Sequence, residues 1–198
     1  LVGWKYFTSS LEDNAKLFDA PSYVVDAIRE IAGETGDVVN ATHLFIGNKG
    51  VRRTNNVNEI EHYEFGASLA SDCMLRTMNL LDEGVCETAL GESLNALGQK
   101  NSVVTIAAAG KRFVKANIYP TENKVKTGDT ISLTIGYKGG LSSRVGYAAQ
   151  DASQLPEGAR DYVDAVVKPY YGAVVEWLEQ VHCGMTGGQL YQRIDEVL

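Results

Sequence analysis

The stretch GDTISLTIGYKGGLSSRVGY, residues 128–147, decides the fold of this chain. It begins with a glycine and an aspartate that indicate a turn, and the apolar run over residues 131–135 then predicts a buried strand. A glycine-rich turn follows, and residues 144–149 predict a second strand antiparallel to the first. The centre of this hairpin carries Thr134 and Arg144 and no carboxylate. The centre of the hairpin therefore offers no negatively charged oxygen.

The composition is that of an ordinary globular protein. The chain has 198 residues, of which 44% are hydrophobic and 22% charged, and its formal net charge is -7. This acidic balance argues against nucleic acid or an anionic membrane as a partner. No apolar run approaches the ~18 residues that a membrane span needs. The three cysteines have no disulfide or zinc spacing, which predicts free thiols and a cytoplasmic location.

The N-terminal quarter predicts a small α/β unit. Residues 1–7 and 38–47 are rich in apolar and β-branched residues and predict strands. Between them, Pro21 and Gly33 are the start and stop signals of a helix. The polar run over residues 48–58 then indicates a linker.

The linker divides the chain into an N-terminal part at 1–50, a linker at 51–58 and a larger domain at 59–198. Asn58 is the predicted N-cap of a long helix, with Glu61 as its capping partner, and the helix extends to about Asp82. The residues predicted on its inward face are Ile60, Tyr63, Ala67, Ala70, Met74, Met78 and Leu81.

Further elements follow the long helix. A second helix is predicted at 87–97, a β-rich run at 101–109 and a last long helix at 161–180. Pro169 is expected to kink this last helix, because it removes a backbone hydrogen-bond donor.

One internal repeat has an offset of 100 residues. GVCETALGESLNAL begins at Gly84, and GMTGGQLYQRIDEV begins at Gly184. Apolar residues recur at the same positions after each glycine, and a long amphipathic helix precedes both copies. This order favours a duplicated pair of helices. The strands that follow the first copy have no counterpart after the second copy in this sequence, so we expect half of a duplicated domain to be absent.

Residues 58–198 resemble the pita-bread fold of the creatinase, prolidase and methionine aminopeptidase superfamily. The matching segments are NEIEHYEFGASLASDCMLRTMNLLDEGV, KVKTGDTISLTIGYKGG and CGMTGGQLYQRIDEVL. Residues 1–50 resemble the end of the separate N-terminal domain of the creatinase and aminopeptidase P branch. The resemblance implies an α+β fold, comprising the first half of a pita-bread domain and the helices of its second half.

The resemblance also implies a metal site that this sequence lacks. In the superfamily two Mn²⁺, Co²⁺ or Zn²⁺ ions are held by two aspartates on the strand pair, with a histidine and two glutamates from the second half. Thr134 stands at the first aspartate and Arg144 corresponds best to the second, assuming a short deletion. Asn117, three residues before Pro120, stands at a substrate-binding histidine. We therefore expect no metal, no other cofactor and no catalytic residue in this chain.

Two interpretations of these three residues remain open. Arg144 could occupy the former metal space and bind an anionic ligand, or lie on a strand facing solvent. Thr134 could line the same pocket or pack within a buried strand, and Asn117 could be an ordinary loop residue.

Three functions are compatible with these observations. The protein could have lost metallopeptidase chemistry and bind a peptide or a small molecule. It could be a metal-free amidinohydrolase of the creatinase type, or an Xaa-Pro metallopeptidase whose ligands lie elsewhere. Exposed strand edges and an apolar sheet face predict a homo-oligomer in each case.

Overall fold

The structure is a computed structural model that describes residues 1–3, 15–47, 49–96 and 98–198. It divides into two compact units, Leu1–Glu61 and His62–Leu198. The strand predicted at 1–7 falls mostly on residues 4–14, outside the described residues. None of the described helices is both long and apolar enough to cross a membrane.

The first unit contains helix α1, Ser22–Ala32, which the sequence predicted. Gly33 ends this helix with φ of 67°, and its N–H donates to the carbonyl oxygens of Arg29 and Glu30. A left-handed residue of this kind is the usual glycine stop signal. Two short 3₁₀ turns follow, at Thr42–Leu44 and Val51–Arg53.

The strand predicted at 38–47 is wrong. The Asn40 side chain accepts a hydrogen bond from the Thr42 backbone N–H at 2.9 Å and donates one to the Leu17 carbonyl at 2.7 Å. This local bond closes a turn, which leads into the 3₁₀ turn at Thr42–Leu44. The backbone conformation of this segment therefore depends on its one asparagine and not on its β-branched composition.

Helix α2, Val57–Leu80, starts two residues earlier than the sequence predicted. Asn56, not Asn58, forms the capping box: its N–H donates to Glu59 at 2.9 Å, and the Glu59 N–H donates to the Asn56 side chain at 3.0 Å. Both pairs have the same spacing, so the sequence alone could not choose between them.

The second unit is a three-stranded antiparallel sheet packed on two helices. Its strands are β1, Ile106–Ala109, β2, Thr130–Tyr137, and β3, Gly140–Tyr147, in the order β1-β2-β3. The helices of the core are α2 and α3, Glu87–Leu94. The core consists of Ala70, Cys73, Met74, Leu90, Leu94, Ala107, Ala109, Val125, Ile131, Leu133, Ile135 and Tyr137.

The remaining helices are α4, Gly110–Val114, α5, Lys168–Gln180, and α6, Gly187–Asp195. A π-helical turn, Val163–Val167, directly precedes α5, which has a proline in its first turn. Both copies of the repeat have the same local structure. α2 ends at Leu80 and α5 at Gln180, and the glycines that follow, Gly84 and Gly184, have φ of 86° and 95°.

The inward face of α2 differs from the predicted one. Its buried residues are Gly66, Ala70, Cys73, Met74 and Thr77. Ile60 and Met78, which were predicted to face inward, are 54% and 46% exposed. The reason is close packing. Small residues such as Gly66 and Ala70 allow α2 to lie close to the sheet, and Ile60 and Met78 lie outside this contact.

Glycines allow the turn between β2 and β3 to lie directly on α2. A Cβ atom at Gly66 would lie 2.3 Å from the Lys138 carbonyl oxygen, and one at Gly140 would lie 2.4 Å from the Ala67 Cα. Real Cβ atoms do not approach this closely, so the contact requires glycine at both positions. The hairpin is thereby fixed against the helix.

A buried carboxylate on α3 connects this helix to the end of β1 and to the loop that contains Thr121 and Asn123. Glu87 is fully buried and accepts hydrogen bonds from the Ala109 N–H at 2.9 Å, the Asn123 side chain at 2.9 Å and both the N–H and hydroxyl of Thr121. Arg112 of α4 completes the set with an ion pair at 3.1 Å. Burial by itself would raise the pKa of Glu87, but these hydrogen bonds outweigh it and hold the pKa below its ordinary value.

The Gly66→Ala variant tests the contact between α2 and the hairpin. Alanine normally stabilises a helix, but here we expect the free energy of unfolding to fall by about 2 kcal/mol because of overpacking. Gly172→Ala in α5 is the matched control, since no atom lies within 4 Å of its added Cβ. The free energy of unfolding of this control should rise by up to about 1 kcal/mol. Urea unfolding measures both, and equal effects would contradict the close approach.

The Glu87→Gln variant tests the buried carboxylate. We expect it to lower the free energy of unfolding at pH 7 by about 3 kcal/mol, because an amide cannot accept all these hydrogen bonds. A carboxyl whose folded pKa is depressed stabilises above its unfolded pKa of about 4.3, and this contribution is lost as pH falls through the folded pKa. The difference in free energy of unfolding between the variant and the wild type should therefore become smaller below pH ~4. Glu122→Gln, an exposed acid in the same loop, should change stability by less than about 0.5 kcal/mol.

Ala116 is a non-glycine residue with positive φ, at 59°. It ends α4 in a left-handed conformation, where the Asn117 N–H donates to the Arg112 carbonyl at 2.9 Å. Ala116→Gly should raise the free energy of unfolding by about 1 kcal/mol. Lys115→Gly, one residue earlier at φ of -89°, should lower it instead. Thermal unfolding of both variants checks the sign, and a destabilised Ala116→Gly would exclude the left-handed turn.

Candidate functional site

The centre of the hairpin holds a pair of hydroxyl groups. Thr134 on β2 lies directly opposite Ser143 on β3, and their side-chain oxygens are 2.8 Å apart. Residues directly opposite each other in an antiparallel pair have their side chains on the same face of the sheet. Ser143 is thus the residue that the tertiary structure brings to Thr134.

Arg144, which the sequence placed beside Thr134, lies opposite Leu133 instead. Leu133 is a fully buried core residue on the helix side of the sheet, so alternation places Arg144 and Thr134 on opposite faces. The Arg144 side chain is exposed, and its guanidinium donates to the Ser143 carbonyl oxygen at 2.7 Å. It therefore lies along the outer edge of β3.

Asn117 is in the loop after α4 and is exposed. It is not among the residues that line the groove beside β3. Its neighbour Thr121 is anchored by Glu87, so the loop on which Asn117 lies is held at its far end.

The Thr134–Ser143 pair could have been found from the position of the turn. Tyr137 pairs with Gly140, which leaves Lys138 and Gly139 as a two-residue turn, and the register follows from it. The sequence Lys138-Gly139-Gly140 would equally allow a turn that starts one residue later, at Gly139. That shift changes every cross-strand partner, which is why the sequence alone did not identify Ser143.

The residues present do not fit a pair of divalent metal ions. Mn²⁺ and similar hard cations favour charged oxygens, and two hydroxyls that bond to each other supply no charge. Within the described part of the chain, no group of three or more His, Cys, Asp and Glu residues could hold a metal ion.

A groove with a volume of about 720 Å³ lies beside β3. One wall is formed by Ser143, Arg144 and Val145. The opposite wall comes from the π-helical turn and α5 and consists of Tyr162, Val166, Val167, Tyr170, Tyr171 and Val174. The groove is thus lined by valine and tyrosine, with one cation and no acid. The sequence predicted a helix over this segment, but not that it forms the wall of a groove.

The Tyr147 and Tyr162 rings connect the two walls. Their centroids are 5.0 Å apart and their planes are nearly perpendicular, at 82°. This edge-to-face geometry is favourable for aromatic pairs. It holds the start of the helical segment against the end of β3.

Tyr137, close to the hairpin turn, is a structural residue rather than an acid or a base. Its hydroxyl donates to the Leu94 carbonyl at 2.8 Å and lies 3.8 Å from the Cys73 sulfur. Burial, with a contribution from Cys73, raises the pKa of Tyr137 to about 12. The phenol therefore stays neutral at physiological pH.

No protein-family model matches the sequence, and no curated protein matches it. Solved structures are similar, however. The Xaa-Pro dipeptidase from Bacillus anthracis is 18% identical with a TM-score of 0.66, over 90% of this chain and 49% of that one. The prolidase from Pyrococcus furiosus is 17% identical with a TM-score of 0.68, over 93% and 52%. The X-Pro aminopeptidase from Thermotoga maritima is 20% identical with a TM-score of 0.63, over 87% and 49%.

At these identities the likeness is one of fold. The chain spans about half the length of these solved structures. The predicted fold class is confirmed: the chain has the α+β pita-bread fold.

Proposed function

We propose that this protein uses the pita-bread fold without a dinuclear metal site and binds a peptide or a small molecule instead of hydrolysing it. One observation carries the proposal. The Thr134 and Ser143 hydroxyls, 2.8 Å apart, lie on the paired strands where the superfamily resemblance implies two carboxylates. A hydroxyl can ligate a metal ion weakly, but it cannot neutralise its charge.

The groove beside β3 supports the binding part of the proposal. Its mainly apolar walls with one charged group are typical of ligand sites, in which a few polar groups fix the orientation. The solved structures that share the fold include an Xaa-Pro dipeptidase and an X-Pro aminopeptidase. A peptide is therefore the first ligand class to test.

We place this function in the cytoplasm. All three cysteines, Cys73, Cys86 and Cys183, are free thiols, and Cys183 is exposed. Free thiols of this kind persist in a reducing compartment.

An Xaa-Pro metallopeptidase is the second candidate, because the chain shares its fold with enzymes of that name. Metal content and peptidase activity distinguish the two. Because the resemblance places three further ligands in the second half of the domain, the test uses the full-length parent protein. After its incubation with Mn²⁺, Co²⁺ or Zn²⁺, elemental mass analysis should find no stoichiometric metal, and Xaa-Pro dipeptides should not be cleaved. Two ions per chain together with cleavage would overturn the proposal. Metal-free hydrolysis of an amidino substrate would indicate the creatinase-type alternative.

A double variant tests the geometry of the hydroxyl pair. In Thr134→Asp with Ser143→Asp, two carboxylates face each other, so the variant should unfold at a lower temperature than the wild type. Added Mn²⁺ should raise its Tm, because a divalent ion between the carboxylates removes their repulsion. The control pair, Thr134→Asn with Ser143→Asn, has similar size without charge and should not respond to Mn²⁺. An equal response of the wild type would show that the hydroxyl pair already binds metal.

A further inference from the structure

We draw no further inference here: the strongest candidate, the cavity of about 350 Å³ between the end of α2, the turn at Thr127 and the loop that follows β3, is marked only by the exposed carboxylates of Asp82 and Glu83, and among the described residues no buried side chain without a hydrogen-bond partner points to a ligand there.

Discussion

The Glu87 carboxylate is the interaction on which the arrangement of the second unit depends. It lies at the start of α3 and bonds to the end of β1, to α4 and to the loop at Thr121 and Asn123. These segments lie more than 20 residues from Glu87 in sequence, and each contributes a hydrogen-bond donor to this one buried carboxylate. Because a buried charge is tolerated only when its hydrogen bonds are complete, the segments must assemble together. The sheet is thereby placed on α2 and α3.

Once the sheet is placed, the glycine contacts at the hairpin turn determine its register. The turn can approach α2 only where neither surface has a Cβ atom, which is at Gly66 and Gly140. This fixes Tyr137 opposite Gly140, and with it Thr134 opposite Ser143. The same register directs Arg144 to the helix side of the sheet and to its edge. A helix contact some distance from the site thus decides which residues form it.

Predictions from short-range interactions were confirmed at the ends of α1 but were wrong at the start of α2. The pairs of helices around Gly84 and Gly184 also depend on neighbours within a few residues, and the sequence predicted both pairs. The strand predicted at 38–47 failed because one asparagine side chain closed a turn. Glu87 was seen only as a helix residue, because an acid at a helix start is usually exposed. Its burial depends on Arg112, Thr121 and Asn123, more than 20 residues away.

The sequence by itself determined that this chain contains two helix pairs 100 residues apart and a hairpin without acids, because periodicity, capping and residue identity are local. Only the tertiary structure decided that Thr134 meets Ser143, that Arg144 lies on the strand edge and that α5 presents an open apolar face. The physical reason is that register and burial are set by contacts between distant segments. A shift of one residue in the position of the turn leaves the sequence pattern intact but gives every strand residue a different cross-strand partner.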